Sequence, residues 1–440
     1  MTEYELIIIG FGKAGKTLAK HASAQGQKVA MIEQSSTMYG GTCINIGCIP
    51  SKVLVHDGIA GTNFDNAFSR KKEVVQALNQ KNYQLLANDE NISVLNYKAQ
   101  FKSNTEVKLL DENNQLIKTI TAPRIIINTG AKANIPKIKG INSAKHLYDS
   151  TDLLNISYHP QHLVMIGGGY IALEFASMFA NLNTKVTILE HGSKLMPRED
   201  RDIVNAIIND LEDKGVTMLT NVNTSEFIDE GDQTIIKTSQ GDFEADAILL
   251  ATGRTPNVDL GLDNTDIQLT NDGSIAVNEH LQTSVDHIYA AGDVKGGLQF
   301  TYISLDDYRI IQSHLYGDGK RTTENRGFIP YTMFIDPPLS RVGMTGEQAQ
   351  SANYNYVEKQ LPVNQIPRHK INNDSRGLFK IVINKEDHQI LGASLYGKES
   401  EEMINLIKLA MDQKIPYQVL RDNIYTHPTM TESFNDLFNI

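Results

Sequence analysis

Sulfur is scarce in this chain: of 440 residues only Cys43 and Cys48 are cysteines. So few cysteines exclude a disulfide-stapled scaffold. Tryptophan is absent too, which carries no functional meaning. No apolar run approaches the roughly 18 residues that a membrane-spanning helix needs. An excess of basic residues is also missing; the net charge is −11 and the pI near 5.6, which argues against nucleic acid or an anionic membrane as partner. The opening Met1-Thr2-Glu3-Tyr4-Glu5 leads straight into the apolar run Leu6 to Ile9, with neither a basic stretch nor a small-residue cleavage site. These absences predict a soluble, cytoplasmic protein of two to three domains. In that reducing compartment a disulfide would be catalytic or regulatory.

What sulfur there is stands in one stretch, Gly40-Gly41-Thr42-Cys43-Ile44-Asn45-Ile46-Gly47-Cys48-Ile49-Pro50-Ser51-Lys52. In an ideal helix, residues five apart have Cα atoms about 8.5 Å apart, whereas a disulfide tolerates roughly 7 Å. A bridge between Cys43 and Cys48 therefore requires a distorted helix start, and Gly47 and Pro50 are the residues that permit one. A bond across so short a loop gains little from chain entropy and is better suited to opening and closing than to stabilising. Two buried thiols, or half of a zinc site, are the plainer alternatives. A zinc site needs two further ligands, and no other cysteine exists to supply them.

Around this stretch one pattern occurs twice. The run Leu6 to Ile9 leads into Gly10-Phe11-Gly12-Lys13-Ala14-Gly15, a helix-like segment to His21, and a strand-like Lys28 to Ile32 ending in Glu33. His162 to Ile166 leads into Gly167-Gly168-Gly169-Tyr170-Ile171-Ala172, a helix-like segment through Phe179, and Lys185 to Leu189 ending in Glu190. Gly10 to Glu33 and Gly167 to Glu190 are both 23 positions apart. Strand, glycine turn, helix, strand and acid is the order of a dinucleotide-binding βαβ unit. Gly10 gives the tight turn, Gly12 lets backbone approach a pyrophosphate, and Gly15 lets helix and strand pack closely; Gly167, Gly169 and Ala172 hold the matching positions. A helix N-terminus holds the phosphates, and the acid accepts from a ribose hydroxyl. Two copies with one spacing predict two bound dinucleotides.

The redox cysteines follow the first copy, so the cofactor there should be the one that exchanges electrons with sulfur, a flavin. The second copy should bind the hydride donor. Glu190 would accept from a free ribose 2′-hydroxyl and repel a 2′-phosphate, which favours NADH over NADPH, with Lys185, Lys194 and Arg198 nearby as counterweights.

The segment from Thr62 to Asn91 carries helical spacing at Val74, Leu78, Leu85 and Leu86. Alternating stretches follow at 93–101 and 105–110, with a turn at 111–114. Two buried strands end in glycine, Ile125 to Thr129-Gly130 and Ile248 to Thr252-Gly253-Arg254, each expected to close a nucleotide-binding module. A third such stop, Ala291-Gly292-Asp293, precedes a helix-like run from Tyr302 to Leu315, where Asp293 is open to reading as an ordinary helix cap. From about Arg326 the glycine turns cease, and strands at 331–335, 378–384 and 390–395 with a helix at 401–411 predict a domain of α+β character. Near its end stands Tyr425-Thr426-His427-Pro428-Thr429-Met430-Thr431-Glu432, in which Glu432 is placed to orient the His427 imidazole. Spacing alone does not single His427 out.

Taken in order from end to end, these motifs resemble the class I pyridine nucleotide-disulfide oxidoreductases: lipoamide dehydrogenase, glutathione reductase, mercuric reductase and their relatives. The resemblance rests above all on Cys43-x-x-x-x-Cys48-x-Pro50-Ser51-Lys52, and on Ala251-Thr252-Gly253-Arg254, Ala291-Gly292-Asp293 and His427-Pro428-Thr429 with Glu432. It implies an α/β fold of two Rossmann-like dinucleotide-binding domains plus a C-terminal α+β dimerisation domain. The expected boundaries are 1–145 and 266–325 for FAD, 146–265 for NAD(P)H and 326–440 for dimerisation. It implies FAD at the first unit, served by Gly41, Thr42, Thr129, Gly130 and Asp293, and NAD(P)H at the second, with Gly253 and Arg254 closing that module. Cys48 would face the flavin as half of a redox disulfide, with Cys43 as the interchange thiol that meets substrate. Lys52, paired with Glu174, would lie by the flavin ring. His427 and Glu432 would act across a homodimer on the partner's Cys43.

For substrate, the ending Asp436-Leu437-Phe438-Asn439-Ile440 holds no cysteine pair and no N-terminal metal-binding module with its own CxxC stands in the chain, so mercury is not expected. A coenzyme A disulfide reductase would carry a single active cysteine. The ending from Tyr425 to Phe438 resembles the bacterial RclA-like branch, often labelled mercuric-reductase-like, whose members act as hypothiocyanous acid reductases in oxidant defence. Dihydrolipoamide dehydrogenase is the second enzyme reading. A flavin-bearing redox sensor or docking subunit is the reading from another class.

Overall fold

The computed structural model describes residues 4–440. Met1 to Glu3, the start of the leaderless opening expected above, lie outside the described residues. The chain forms two compact units, one made of residues up to Val53, Phe68–Ile135 and Gly253–Arg326, the other of Leu54–Ala67, Pro136–Thr252 and Gly327–Ile440.

The first unit is built on a parallel five-stranded sheet in the order Ile288–Ala290, Ile125–Ile127, Leu6–Ile9, Val29–Ile32, Ile92–Leu95. The central strands are buried along their whole length, which is why they read as unbroken Ile and Val runs rather than alternating ones. Apolar clusters cover both faces: Phe101, Val107, Leu109 and Ile120 on one, Leu18, Ala19, Ala22 and Ile310 on the other. The helices Lys13–Ala24 and Thr301–Tyr316 supply the second cluster. Strands Lys98–Phe101, Glu106–Leu110 and Leu116–Thr121 make a separate antiparallel sheet.

In the second unit a parallel sheet runs Thr217–Leu219, Lys185–Leu189, His162–Ile166, Ala247–Leu250, Leu147–Tyr148. Its C-terminal part is an antiparallel sheet in the order Tyr331–Met333, Leu339–Gly343, Ile390–Tyr396, Leu378–Asn384, Tyr356–Pro362, packed against the helix Ser400–Asp412. The sequence reading missed two of these strands. Leu339–Gly343 carries Ser340 and Arg341 in its middle, and the buried Arg341 pairs with Glu199 at 3.3 Å and donates to Arg198 O at 2.7 Å and Gln348 Oε1 at 2.6 Å. Tyr356–Pro362 lies at the sheet edge, where Glu358, Lys359 and Gln360 keep it from reading as apolar. Glu199, Asp210 and Asp336 tie the two sheets of this unit, Glu199 pairing with Arg341, Asp210 accepting from Tyr396 at 2.6 Å and Asp336 pairing with Lys214. The fold is α/β, with two Rossmann-like parallel sheets and a C-terminal α+β portion.

Candidate active site

The redox stretch is two helical pieces with a break between the cysteines. Gly40 (φ 97°) and Gly41 (φ 75°) turn the chain through the left-handed region into a short helix, Thr42–Asn45. A Cβ on Gly41 would stand 2.8 Å from Gly12 Cα, so this turn lies directly on the first glycine loop. The helix stops at Ile46 (φ −140°), and a second begins at Cys48 and runs to Ile59. The distortion required for sulfur contact therefore falls at Ile46-Gly47. Pro50 sits in the first turn of the second helix, where its missing N–H is no loss. Cys43 is half-buried, Cys48 is exposed, and the two thiols hydrogen-bond each other. The Thr301 hydroxyl lies 3.6 Å from Cys48 Sγ. Cys43 is pushed well up, first by the hydrogen bond with Cys48 and then by burial. A pair so close shares its protons, so its first ionisation yields one thiolate and one thiol. Lys52 is half-buried one helical turn after Cys48, on the same side of that helix.

The first glycine turn is set by Asn128, a residue the sequence reading passed over. Its Oδ1 accepts from the Gly15 amide at 2.9 Å and its Nδ2 donates to Ala291 O at 2.7 Å. A Cβ on Gly12 would stand 2.4 Å from that Oδ1, and one on Gly10 (φ 100°) would stand 2.4 Å from Asn128 O. Gly12 is thus demanded by the protein itself, not only by an approaching pyrophosphate. Gly15 behaves as expected, its missing Cβ admitting Gly10 O and Ile8. Gly12 supplies no side-chain cap to the helix Lys13–Ala24, and Ser304 Oγ takes the Ala14 amide at 3.2 Å, so what this helix start offers an anion is its field. Glu33 is half-buried and its carboxyl is pushed up by desolvation, against hydrogen bonds from the amides of Phe11 (3.1 Å) and Ser35 (3.1 Å).

Thr129 donates to Asn257 O at 2.7 Å, and Gly130 (φ 71°) faces the Thr42 hydroxyl. Asp293 lies in a short 3₁₀ turn, Gly292–Lys295, and its side chain caps nothing; the later helix begins at Thr301 behind Phe300. The plain helix-cap reading of Asp293 is therefore set aside. Burial pushes its carboxyl up, with Arg254 and Lys295 pulling the other way. A glycine turn into a helix without a side-chain N-cap, with a half-buried acid at the end of the next strand, fits a flavin dinucleotide.

In the second copy Gly167 (φ 104°) would bring a Cβ to 2.7 Å from Ala251 O. Glu190 accepts from the amides of Gly168 at 2.5 Å and Gly192 at 2.6 Å, which fixes its carboxylate beside the turn. At Gly169 a Cβ would meet nothing within 4 Å. That unclaimed space at the start of helix Tyr170–Asn181 is a cradle that fits a second pyrophosphate. Ala172 is fully buried, and Glu174 accepts from the Phe334 amide at 2.8 Å. Gly253 (φ 95°) lies in the other unit together with Arg254, which donates to Ala131 O, so both sit with the first glycine turn rather than with the nicotinamide module.

His427 stands exposed in the second unit, its Nδ1 2.8 Å from Glu432 Oε2. Glu432 Oε1 takes the Thr429 amide at 3.1 Å, and the His427 contact holds the Glu432 carboxyl below its ordinary value. The imidazole is anchored through one nitrogen and presents the other.

Residues 4–307 match the family Pyridine nucleotide-disulphide oxidoreductase, and residues 329–438 match its dimerisation domain. The chain belongs to this family: it is an NAD(P)H-dependent flavoprotein disulfide oxidoreductase, for which FAD is the family cofactor and a homodimer the family assembly. Among its relatives is RclA of Escherichia coli strain K12, described as a probable pyridine nucleotide-disulfide oxidoreductase, at 48% identity over 100% of both chains. A solved structure of the copper(II) complex of that protein, there called an HOCl-induced flavoprotein disulfide reductase, superposes with a TM-score of 0.97 at 48% identity over 100% of this chain and 99% of the other. The dihydrolipoyl dehydrogenase of Bacillus subtilis strain 168 is 32% identical over 98% of this chain and 97% of its own. In the described residues no helix is long and apolar enough to cross a membrane.

Proposed function

We propose that this reductase passes electrons from NADH to a small sulfur-centred oxidant, hypothiocyanous acid, through Cys43 and Cys48. The carrying observation is the thiol pair itself: two sulfurs in mutual contact at a helix break, one half-buried and one exposed. The full-length likeness to a protein described as HOCl-induced supports an oxidant as substrate. In this reading residues 1–145 and 266–325, joined by Gly253 and Arg254, hold FAD, the preceding part of 146–265 holds the nicotinamide nucleotide, and 326–440 makes the dimer contact. Gly10, Gly12, Gly15, Glu33, Gly41, Thr42, Thr129, Gly130, Asp293, Gly253 and Arg254 would hold FAD, with Lys52 near its ring. Gly167, Gly169, Ala172, Glu174 and Glu190 would hold NADH, which Glu190 prefers for its free 2′-hydroxyl. FAD held by these residues would supply the two-electron chemistry that links the nicotinamide nucleotide to the Cys43–Cys48 disulfide.

The chain's own steps then balance. The Cys43 thiolate attacks the sulfur of hypothiocyanous acid, an S–S bond forms, and hydroxide leaves with a proton from His427 of the partner subunit, as water. Glu432 holds that imidazole for the transfer. The Cys48 thiolate attacks the modified Cys43 sulfur, thiocyanate leaves, and the disulfide is restored. The test follows NADH and NADPH oxidation by the purified yellow protein against hypothiocyanous acid, oxidised glutathione, lipoamide and mercuric ion. Fast turnover with hypothiocyanous acid alone supports the reading. Fast turnover with lipoamide makes the chain a dihydrolipoamide dehydrogenase, and slow turnover with all four favours a redox sensor.

A further inference from the structure

Close to the redox pair stands a lysine ammonium held by an amide rather than by an acid. Lys16 lies in the first turn of helix Lys13–Ala24, half-buried, and donates to Asn82 Oδ1. Asn82 is buried and held by its own bond to Leu78 O at 2.7 Å. It also faces the redox turn: a Cβ on Gly40 would stand 3.1 Å from Asn82 Cγ. The glycine-turn helix, the Asn82 helix and the turn entering Cys43 therefore converge on the ammonium. Among the described residues no carboxylate pairs with Lys16. The ionisable groups that act on it are Lys13, which repels it, and Cys43, which attracts it.

We propose that Lys16 is a positioning residue that favours negative charge on the Cys43 sulfur, working against the Cys48 hydrogen bond and the burial that hold the proton there. A half-buried cation beside an exchanging thiol stabilises thiolate over thiol, and screening by salt is weak at such depth. Burial and Lys13 push Lys16 down to about 8, against the pull of Cys43. Its support for the thiolate is therefore full at neutral pH and fades above pH 8, where the amine loses its proton. The proposal rests on Cys43 as the substrate-facing thiol.

The test measures that thiol directly. In flavin-loaded Cys48→Ser protein, Cys43 is the sole cysteine, and its alkylation by iodoacetamide is followed by mass spectrometry from pH 5 to 10. Lys16→Met in this background should move the midpoint up by about one pH unit, roughly tenfold less modification at pH 7. Lys16→Arg should restore the rate at neutral pH. Superimposable profiles with and without the Lys16→Met substitution, at equal flavin content, overturn the proposal. Loss of flavin with an unchanged Cys43 profile overturns it too, and would assign Lys16 to the dinucleotide. Should Lys16→Met fail to fold, Asn82→Ala releases the ammonium and should shift the midpoint in the same direction; no shift there refutes the idea equally. Because no physiological oxidant is used, this outcome is independent of the hypothiocyanous acid assay.

Discussion

Gly12 and Gly169 occupy the same position in the two glycine turns, yet alanine should act on them in opposite ways. At Gly12 the new methyl would stand 2.4 Å from Asn128 Oδ1, against roughly 3.5 Å for ordinary contact. The Asn128 amide cannot simply swing aside, because it bonds Gly15 N and Ala291 O in the buried core. Losing those two bonds costs about 1–3 kcal/mol each, so Gly12→Ala should lower stability by about 2–6 kcal/mol and release flavin. At Gly169 the backbone is extended (φ −81°, ψ −176°) and a Cβ meets no protein atom within 4 Å. Gly169→Ala should therefore stay within about 1 kcal/mol of the parent. Its methyl enters the space kept for the nucleotide pyrophosphate, and KM for NADH should rise at least about tenfold, equivalent to about 1.4 kcal/mol. Thermal unfolding, flavin absorbance and steady-state kinetics on both variants make the check. An unchanged KM in Gly169→Ala would refute the second turn as a pyrophosphate cradle; full flavin in Gly12→Ala would refute the role given to Asn128.

Cys43→Ser should abolish substrate reduction while NADH still bleaches the flavin in stopped flow; loss of bleaching would mean the electron path is wrong. Glu190→Arg should shift preference toward NADPH, read as the ratio of kcat/KM values, and should also loosen the turn, since Glu190 holds the Gly168 and Gly192 amides. Asp336 is buried and Asp374 half-buried, yet the neighbouring cations, Arg376 foremost for Asp374 and Lys214 foremost for Asp336 with Arg376 beside it, hold both carboxyls below the ordinary 3.8. Their contribution to stability is thus complete above pH 3.8 and is lost as pH falls through the lower folded values. Arg376→Met should cost about 2–3 kcal/mol at pH 7, a figure reduced for its partial exposure. In denaturant titrations the difference should shrink as the pH falls below 3.8, and a constant difference would contradict the pairing.

The legible features of the candidate site were those made of local backbone chemistry. Gly10 and Gly167 need positive φ, the acids at Glu33 and Glu190 follow their strands at a set interval, and the two cysteines stand one helix break apart. His427 was legible only through resemblance, since its tie to Glu432 is a matter of side-chain direction. Asn128 closes an Ile-Ile-Ile strand just before Thr129-Gly130, a polar stop that marks the position once its importance is understood. Lys16 offered a weaker signal, a charge directly after the last glycine of the motif. Arg341 and the edge strand Tyr356–Pro362 broke the apolar pattern on which strand reading depends.

The sequence by itself determined the class of fold and its two Rossmann-like units, because turn geometry and hydrophobic period are written in neighbouring residues. Tertiary structure alone decided which glycines the protein needs for its own packing and which it leaves open for a ligand. It also decided that Asp293 caps nothing, that Gly253 and Arg254 belong beside the first turn, and that Lys16 comes to Cys43. Those facts depend on contacts between segments tens to hundreds of residues apart, and the distances across such contacts appear only when the chain has folded.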